Sequence, residues 1–389
     1  MITFVHTADW QLGKPFSRVS DDEKRAALRK ERIAAIRRIG DVVRAHDAAF
    51  VVVAGDVFDS NSPSNETVSA ACDAIHSVGV PVYVIPGNHD HAGPGSVWEQ
   101  PFFVGESQDR APNLRVLLDA QPVTESGYVL LPCPLGRRQS LEDPCRWIQD
   151  FDFGHLDDRP RIVLAHGSTL NFAQENDEED LNRQPNFIEL ANLPIAHLDY
   201  VALGDWHGLV QTGERAWYSG SHETDRFPKA GQTTGHILVV RAGRGVPPDV
   251  TPVPTGHTRW LAHSATFATD AGPAALLDAL NQISSGVTRQ QVLLKLSLSG
   301  SLGLAGHAEL GRIIDSWQAG LLSLRLDKAV AIAPSPEEIE ALAAAGTDSL
   351  IAHVAGALRD EMARGGDDAD TAGTAIALLH EFVHAGETR

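Results

Sequence analysis

The chain has 389 residues, 43 % of them hydrophobic and 21 % charged, and carries a formal charge of −19. That length supports two or three domains with at least one large core, and no apolar run approaches the ~20 residues of a membrane span. The excess of acid argues against a broad basic nucleic-acid surface, since Lys and Arg carry most phosphate affinity, but leaves room for a local site where metal ions neutralise a phosphate.

At the N-terminus, "MITFVHTAD" lacks a basic leader and a cleavage site, so it reads as a strand of the mature fold rather than a signal peptide. Short apolar runs follow at intervals: "ITFVH" (2–6), "AFVVVAGD" (49–56), "VPVYVIPG" (80–87), "RIVLAHG" (161–167) and "YVALGDWH" (200–207). Their length and continuity suit strands buried on both faces. Between the first two, Leu28, Ile33, Ile36 and Val43 stand at helical spacing within residues 21–46. The basic run "KRAALRKERIAAIRR" (24–38) in that helix reads as a solvated face, with contact to a DNA backbone as the alternative. Alternating strands and helices define an α/β layered architecture. Cys72, Cys133 and Cys145 are scattered, with no CxxC pair, which fits reduced thiols and a cytoplasmic setting.

The acidic "ENDEED" (175–180) reads as a solvated loop. From about residue 215, "RAWYSGS" and "GHILVVRAG" suggest an antiparallel extension of a sheet, and the Pro-rich "GVPPDVTPVPTG" (245–256) reads as a domain boundary. Helix "PAALLDALNQI", strand "QQVLLKLSLSG", helix "LAGHAELGRIIDSWQ" and strand "LLSLRL" then outline a small α/β domain. In "APSPEEIEALAAAG", Ser335 takes the N-cap, Pro336 the first helical position and Glu338 the capping-box position. Helices are expected from there to the end, broken near "RGGDDAD". The predicted division is 1–255, 256–332 and 333–389.

The strands share one kind of ending. Asp9 follows the first, Asp56 the second, "GNHD" (87–90) the third, His166 a later one, and Asp205 with His207 another. Ligands of open α/β sheets collect beyond the carboxyl ends of strands. Carboxylates, imidazoles and the amide of Asn88 meeting there are what two divalent ions need. Such ions, ~3.5–4 Å apart, activate a water and clamp an in-line phosphoryl displacement. His89 would touch the scissile phosphate or protonate the leaving oxygen. Each corner alone is an ordinary turn or cap; five in order after five strands carry the signal.

These corners resemble the motifs of the calcineurin-like metallophosphoesterases, which run D-x-H, G-D-x-x-D, G-N-H-[DE], a lone His and G-H-x-H. Within that superfamily, "HTADWQLGKPF", "VVAGDVFDSNSPS" and "VIPGNHD" are most similar to the SbcD-type nuclease subunits of double-strand-break repair. "YSGSHETDRF" followed by "KAG" resembles that group's passage into a capping domain. The motifs cover about residues 1–240, while the remainder agrees in position and in α/β or helical character. The resemblance implies a four-layered β-sandwich flanked by helices, a small α/β capping domain, and a C-terminal helical tail that binds an ATPase. It also implies a first metal on Asp9, the residue at 11, Asp56 and His207, and a second on Asp56, Asn88, His166 and the residue at 205. Asp56 would bridge and His89 would be the catalytic histidine.

Two positions depart from the pattern: Gln11 and Asp205 stand where the family has histidines. Each ion loses an imidazole, and an oxygen-rich set favours Mn²⁺ or Mg²⁺. Gln11 would ligate weakly through its amide oxygen or would hydrogen-bond a metal-bound water or a loop carbonyl. The implied function is hydrolysis of DNA phosphodiesters, as an exonuclease or endonuclease, with an SbcC-like coiled-coil ATPase as partner and homodimerisation as in the family. Two alternatives stand beside it: a phosphoesterase for nucleotides or other small esters, and a catalytically weakened subunit that regulates an ATPase.

Other residues carry paired readings. Trp10 and Trp206 could stack on a base or pack as walls. His91 could line the site or belong to a solvent loop. His222 and Glu223 could meet substrate or form a hinge. The apolar faces of 337–385 could dock a partner or pack internally.

Overall fold

The computed structural model describes residues 1–169, 185–229, 231–345 and 349–386. The acidic run at 175–180 lies outside the described residues. The chain divides into two compact units, Met1–Thr258 and Arg259–Arg389.

The strands of the first unit are, in chain order, β1 (Ile2–Thr7), β2 (Val51–Val53), β3 (Val82–Val84), β4 (Leu114–Val116), β5 (Val123–Thr124) and β6 (Val129–Cys133). They continue with β7 (Arg161–His166), β8 (Tyr200–Gly204), β9 (Val210–Gln211), β10 (Ala216–Tyr218), β11 (His236–Ala242) and β12 (Asp249–Pro254). Two six-stranded sheets result, ordered β12-β11-β1-β2-β3-β4 and β5-β6-β7-β8-β10-β9. Helices α1 (Asp22–His46), α2 (Asn65–His76) and α3 (Pro101–Arg110) accompany the first sheet.

Alternation along the strands explains the layering. Phe4 of β1 packs between the sheets with Phe50, Val52, Tyr128, Leu164 and Tyr200. Its neighbour Val5 packs on the other side with Ile36, Ile39 and Val43 of α1 and Ile75 of α2. The second sheet repeats the pattern, sending Leu130 and Ile162 inward and Val129 and Val163 to an outer core with Ile148 and Leu193. Both faces of each central strand are therefore dry, which is why these runs read as continuous apolar stretches. Helix α1 starts where Asp21 accepts from the Lys24 N–H (3.0 Å) and carries Asp22 and Glu23 in its first turn, both favourable at the positive end of the helix dipole.

The Pro-rich stretch contains edge strand β12, with Pro252 opposite Leu238 and Pro254 opposite His236. An edge strand tolerates proline because one side of it needs no ladder donors. The division into units follows Thr258, just beyond that stretch. The extension after residue 215 is only partly antiparallel, since β10 runs parallel to β8 and antiparallel to β9.

The second unit begins with a strand the sequence reading did not separate, β13 (Arg259–Phe267), followed by β14 (Val292–Leu302) and β15 (Ser323–Ile332). They form a parallel three-stranded sheet, with helices Gly272–Ile283 and Leu304–Gly320 as the crossovers. The capping box is formed: Ser335 Oγ accepts from the Glu338 N–H (3.1 Å) and Glu338 Oε2 from the Ser335 N–H (2.9 Å). Helices Ser349–Arg364 and Asp367–Gly386 are separated at Gly365 and Gly366, whose φ values of 70° and 89° end the first of them. Ala355 and Ile376 of this tail pack on Leu304, so residues 333–389 share a compact unit with the small sheet. Among the described residues no helix is long and apolar enough to cross a membrane.

Candidate metal centre

The loops that leave β1 and β2 are zipped together. The Asp9 N–H donates to the Gly55 carbonyl (3.1 Å), Gln11 to Asp56 (2.8 Å) and Leu12 to Val57 (2.8 Å). Four non-glycine residues here adopt positive φ: Asp9 (54°), Gln11 (40°), Asp56 (56°) and Asp205 (102°). Such backbones cost of order 1–3 kcal/mol each and persist where the surroundings over-determine them, commonly at functional sites. Space is as constrained as torsion. A Cβ on Gly87 would lie 2.2 Å from Asp56 Oδ1, and one on Gly55, itself at φ 90°, would lie 2.2 Å from His166 Nδ1. The glycines of "AGD" and "PGN" are there because ligand side chains pass against their backbone.

One ligand atom each from Asp9, Asp56 and His166 lies within 4.8 Å of the others, and all three residues are buried. His166 Nδ1 is 2.8 Å from the Ala54 carbonyl oxygen. That acceptor fixes the hydrogen on Nδ1 and turns Nε2 inward, 3.5 Å from Asp56 Oδ1 and 3.9 Å from Asp205 Oδ1. His166 Nε2 and Asn88 Oδ1 are both buried without a hydrogen-bond partner among the described residues. Asn88 spends its Nδ2 on Asp205 Oδ1 (3.5 Å), and Ser168 Oγ donates to Asp205 Oδ2 (2.8 Å). A buried polar atom left unmatched is costly, and these two border the carboxylate cluster. A divalent ion fits here: two or three carboxylates, one imidazole nitrogen and one amide oxygen.

Electrostatics agree with that donor set. Burial raises the Asp9 carboxyl to about 6; Asp56 and Asp205 push the same way, against the pull of His207 and His166. Burial lowers His166, but Asp56, Asp9 and Asp205 outweigh it and lift the imidazole to about 9. Asp90, the last residue of "GNHD", is not a ligand. Its two oxygens accept from the N–H groups of Gly87 (2.8 Å) and Phe58 (3.0 Å), tying the third corner to the second, and burial lifts it to about 7.

His89 lies at the mouth, with its side chain about one-third exposed. Its N–H donates to Asp56 Oδ1 (2.9 Å), and its Nδ1 is 2.8 Å from the Asp59 carbonyl oxygen. Nε2 is thereby left facing the centre, 3.9 Å from Asp56 Oδ2.

Gln11 corrects the expectation of an amide-oxygen ligand. Its Oε1 accepts from Lys14 Nζ at 2.6 Å, and its Nε2 lies 3.3 Å from both Asp56 Oδ2 and His207 Nε2. An ammonium only donates, so the amide cannot reverse without setting donor against donor. Lys14 also reaches Asp225 Oδ2 (2.6 Å), and Asp225 Oδ1 holds His207 Nδ1 (3.1 Å). Arg226 Nη2 lies 2.9 and 3.1 Å from the two ring nitrogens of His207. Sequence reading missed Lys14, Asp225, Arg226 and Ser168, although "GKPF" and "TDRF" were both in view.

Trp10 and His222 are corrected as substrate contacts. Both are fully buried; Trp10 Nε1 donates to Thr7 Oγ1 (3.0 Å), and His222 Nε2 is 2.7 Å from the Arg32 carbonyl oxygen. A side chain sealed in the wall cannot stack on a base. Trp206 is half-buried and packs on the outer core of the second sheet. His91 turns into its own loop, accepting from the Gly93 N–H at 3.3 Å. Glu223 is buried, and its carboxylate accepts from the His257 and Thr258 N–H groups (2.7 and 3.1 Å) and from Arg38 Nη2 (3.0 Å).

The basic helix face is likewise not simply solvated. Arg32 is buried and donates to the main-chain carbonyls of Trp10 (2.7 Å), Asp9 (2.9 Å) and Glu223 (3.0 Å). Two of its arginines, Arg32 and Arg38, are spent inside the protein.

A family model described as calcineurin-like phosphoesterase matches residues 2–242, and the chain belongs to that family. Over 97 residues it is 32 % identical to the uncharacterized metallophosphoesterase YhaO of Bacillus subtilis (strain 168), covering 24 % of this chain and 24 % of that protein. The match thus spans about a quarter of the curated relative's length.

Proposed function

We propose that the chain is a metal-dependent phosphodiesterase acting on DNA, an SbcD-like nuclease subunit. The observation that carries the hydrolytic reading is the pair of buried, unpartnered polar atoms, Asn88 Oδ1 and His166 Nε2, beside the Asp9–Asp56 carboxylates. Asp9, Asp56, Asn88, His166 and Asp205 would hold the metal, with Mn²⁺ favoured over softer ions by the oxygen-rich set. A bound divalent ion supplies activation of water and charge neutralisation at phosphorus. His89, oriented by the Asp59 carbonyl, would present Nε2 to the scissile phosphate and, with both ring nitrogens carrying hydrogen, pass the Nε2 proton to the leaving 3′-oxygen.

DNA as the substrate rests on the motif resemblance to SbcD-type subunits. So does a coiled-coil ATPase as partner, for which the exposed Leu378 and Phe382 of the C-terminal helix offer an apolar contact. A second reading, a phosphoesterase for nucleotides or other small esters, is favoured by the charge of −19 and by the inward commitment of Arg32 and Arg38.

The test is hydrolysis of bis(p-nitrophenyl) phosphate by the purified chain with Mn²⁺, for the native protein and His89→Ala. Metal-dependent turnover lost in the variant supports the enzyme; none in either leaves a regulatory subunit. Single-stranded DNA against a cyclic nucleotide then separates the two substrates.

A further inference from the structure

We infer that this centre is built for a single divalent ion, and that Lys14, Gln11 and Arg226 occupy by protein what would be a second metal position. The inference rests on the metal-centre reading above and adds the number of ions. The two halves of the cluster differ in one respect that decides it. On the Asn88–His166 side, two buried polar atoms, Asn88 Oδ1 and His166 Nε2, have no hydrogen-bond partner among the described residues. On the Gln11–His207 side, the acceptors already face donors.

The Gln11 amide nitrogen lies between Asp56 Oδ2 and His207 Nε2, 3.3 Å from each. An amide NH₂ has no lone pair to offer a cation. It is locked in that sense because Gln11 Oε1 accepts from Lys14 Nζ at 2.6 Å. Lys14 is anchored in turn by Asp225 Oδ2, also at 2.6 Å, and Asp225 has one per cent of its side chain exposed. Arg226, its side chain about half exposed, places a second cation against the His207 ring. A divalent ion entering this side would meet an ammonium, a guanidinium and an amide donor within one cluster. The Coulomb repulsion that implies is large in a partly dry site. The two basic side chains, both paired with Asp225, place positive charge on this side of the cluster.

The experiment counts ions. Metal-free protein is equilibrated with excess Mn²⁺, and stoichiometry is read by calorimetry and by elemental analysis after desalting. The expected result is one equivalent, with the electron paramagnetic resonance of an isolated Mn²⁺ rather than an exchange-coupled pair. In His166→Ala the affinity for that equivalent should fall at least about a hundredfold, beyond the loss typical of residues that only orient a ligand. The double variant Gln11→His, Lys14→Met should gain a second equivalent and the coupled signal. Two equivalents in the native chain overturn the single-ion inference while leaving the metal centre standing. Zero equivalents overturn both, and one that survives His166→Ala places the ion elsewhere and overturns the assignment.

Discussion

Arg32, buried in the middle of α1, donates at 2.9 Å to the main-chain carbonyl of Asp9, the first carboxylate of the centre. The same guanidinium holds the carbonyls of Trp10 and Glu223, so one side chain fixes the β1 loop against the segment after β10. Burial lowers the Arg32 pKa while Asp225, Glu223, Asp59 and Asp9 oppose that loss.

Removing this clamp should be expensive. In Arg32→Met three carbonyls lose their donor, each unmatched buried group costing ~1–3 kcal/mol. The expected loss of unfolding free energy is at least about 3 kcal/mol by denaturant titration. Exposed Arg37→Ala on the same helix should stay within about 0.5 kcal/mol. Equal effects of the two substitutions would return Arg32 to the solvated face.

His89→Ala should lower kcat on an activated diester by ~10²–10⁴, the range for a lost general acid. Its side chain sits at the mouth and gives no ligand atom to the Asp9–Asp56–His166 group. Mn²⁺ stoichiometry should therefore be unchanged. A variant that loses both activity and metal would show His89 to be a ligand instead.

Metal affinity should climb with pH. Folded His166 titrates at about 9 against 6.5 for the unfolded chain, so its proton stabilises the metal-free fold fully below pH ~6.5 and ceases to do so as pH rises through ~9. A metal must displace that proton from Nε2. Apparent Mn²⁺ affinity should therefore rise up to about tenfold per unit between pH 6.5 and 8.5, and the metal-induced gain in Tm should grow in step. A flat calorimetric profile over that range would falsify the assignment of His166.

Gly87→Ala tests the close approach at the third corner. The new Cβ would lie 2.2 Å from Asp56 Oδ1 and 2.5 Å from the Asp56 nitrogen, so the carboxylate must move. The expected outcome is a folded protein, by circular dichroism, with Mn²⁺ affinity reduced at least about tenfold, the scale seen when ligand-orienting groups are lost. Gly105→Ala, where nothing lies within 4 Å of the added carbon, is the matched control.

Much of the centre was legible along the chain because each ligand is announced locally. A buried strand ends and a polar residue sits at the tip, as at Asp9, and at Asp56, Asn88, His89 and His166 a glycine stands at the same corner. Strand alternation and apolar runs likewise showed which segments lie inside the sandwich. β13 was missed because alternating exposed and half-buried residues along "RWLAHSATF" leave no continuous apolar run. β12 was misread because proline signals a break unless the strand is known to lie on an edge.

What only the tertiary structure decided is the use made of charge. Lys14 meets Asp225 across 211 positions and Arg32 meets Glu223 across 191, and no local pattern encodes either pairing. The sequence by itself determined that carboxylates, an amide and imidazoles sit at the carboxyl ends of successive strands, where ligands of such sheets collect; that β1, β2 and β3 belong to one sheet and β7 and β8 to the other, so that two sheets supply the centre, is a matter of the fold. Whether Gln11 offers an oxygen or a nitrogen to that centre depends on where a lysine ammonium three residues away finds its second partner, and the fold alone places Asp225 there.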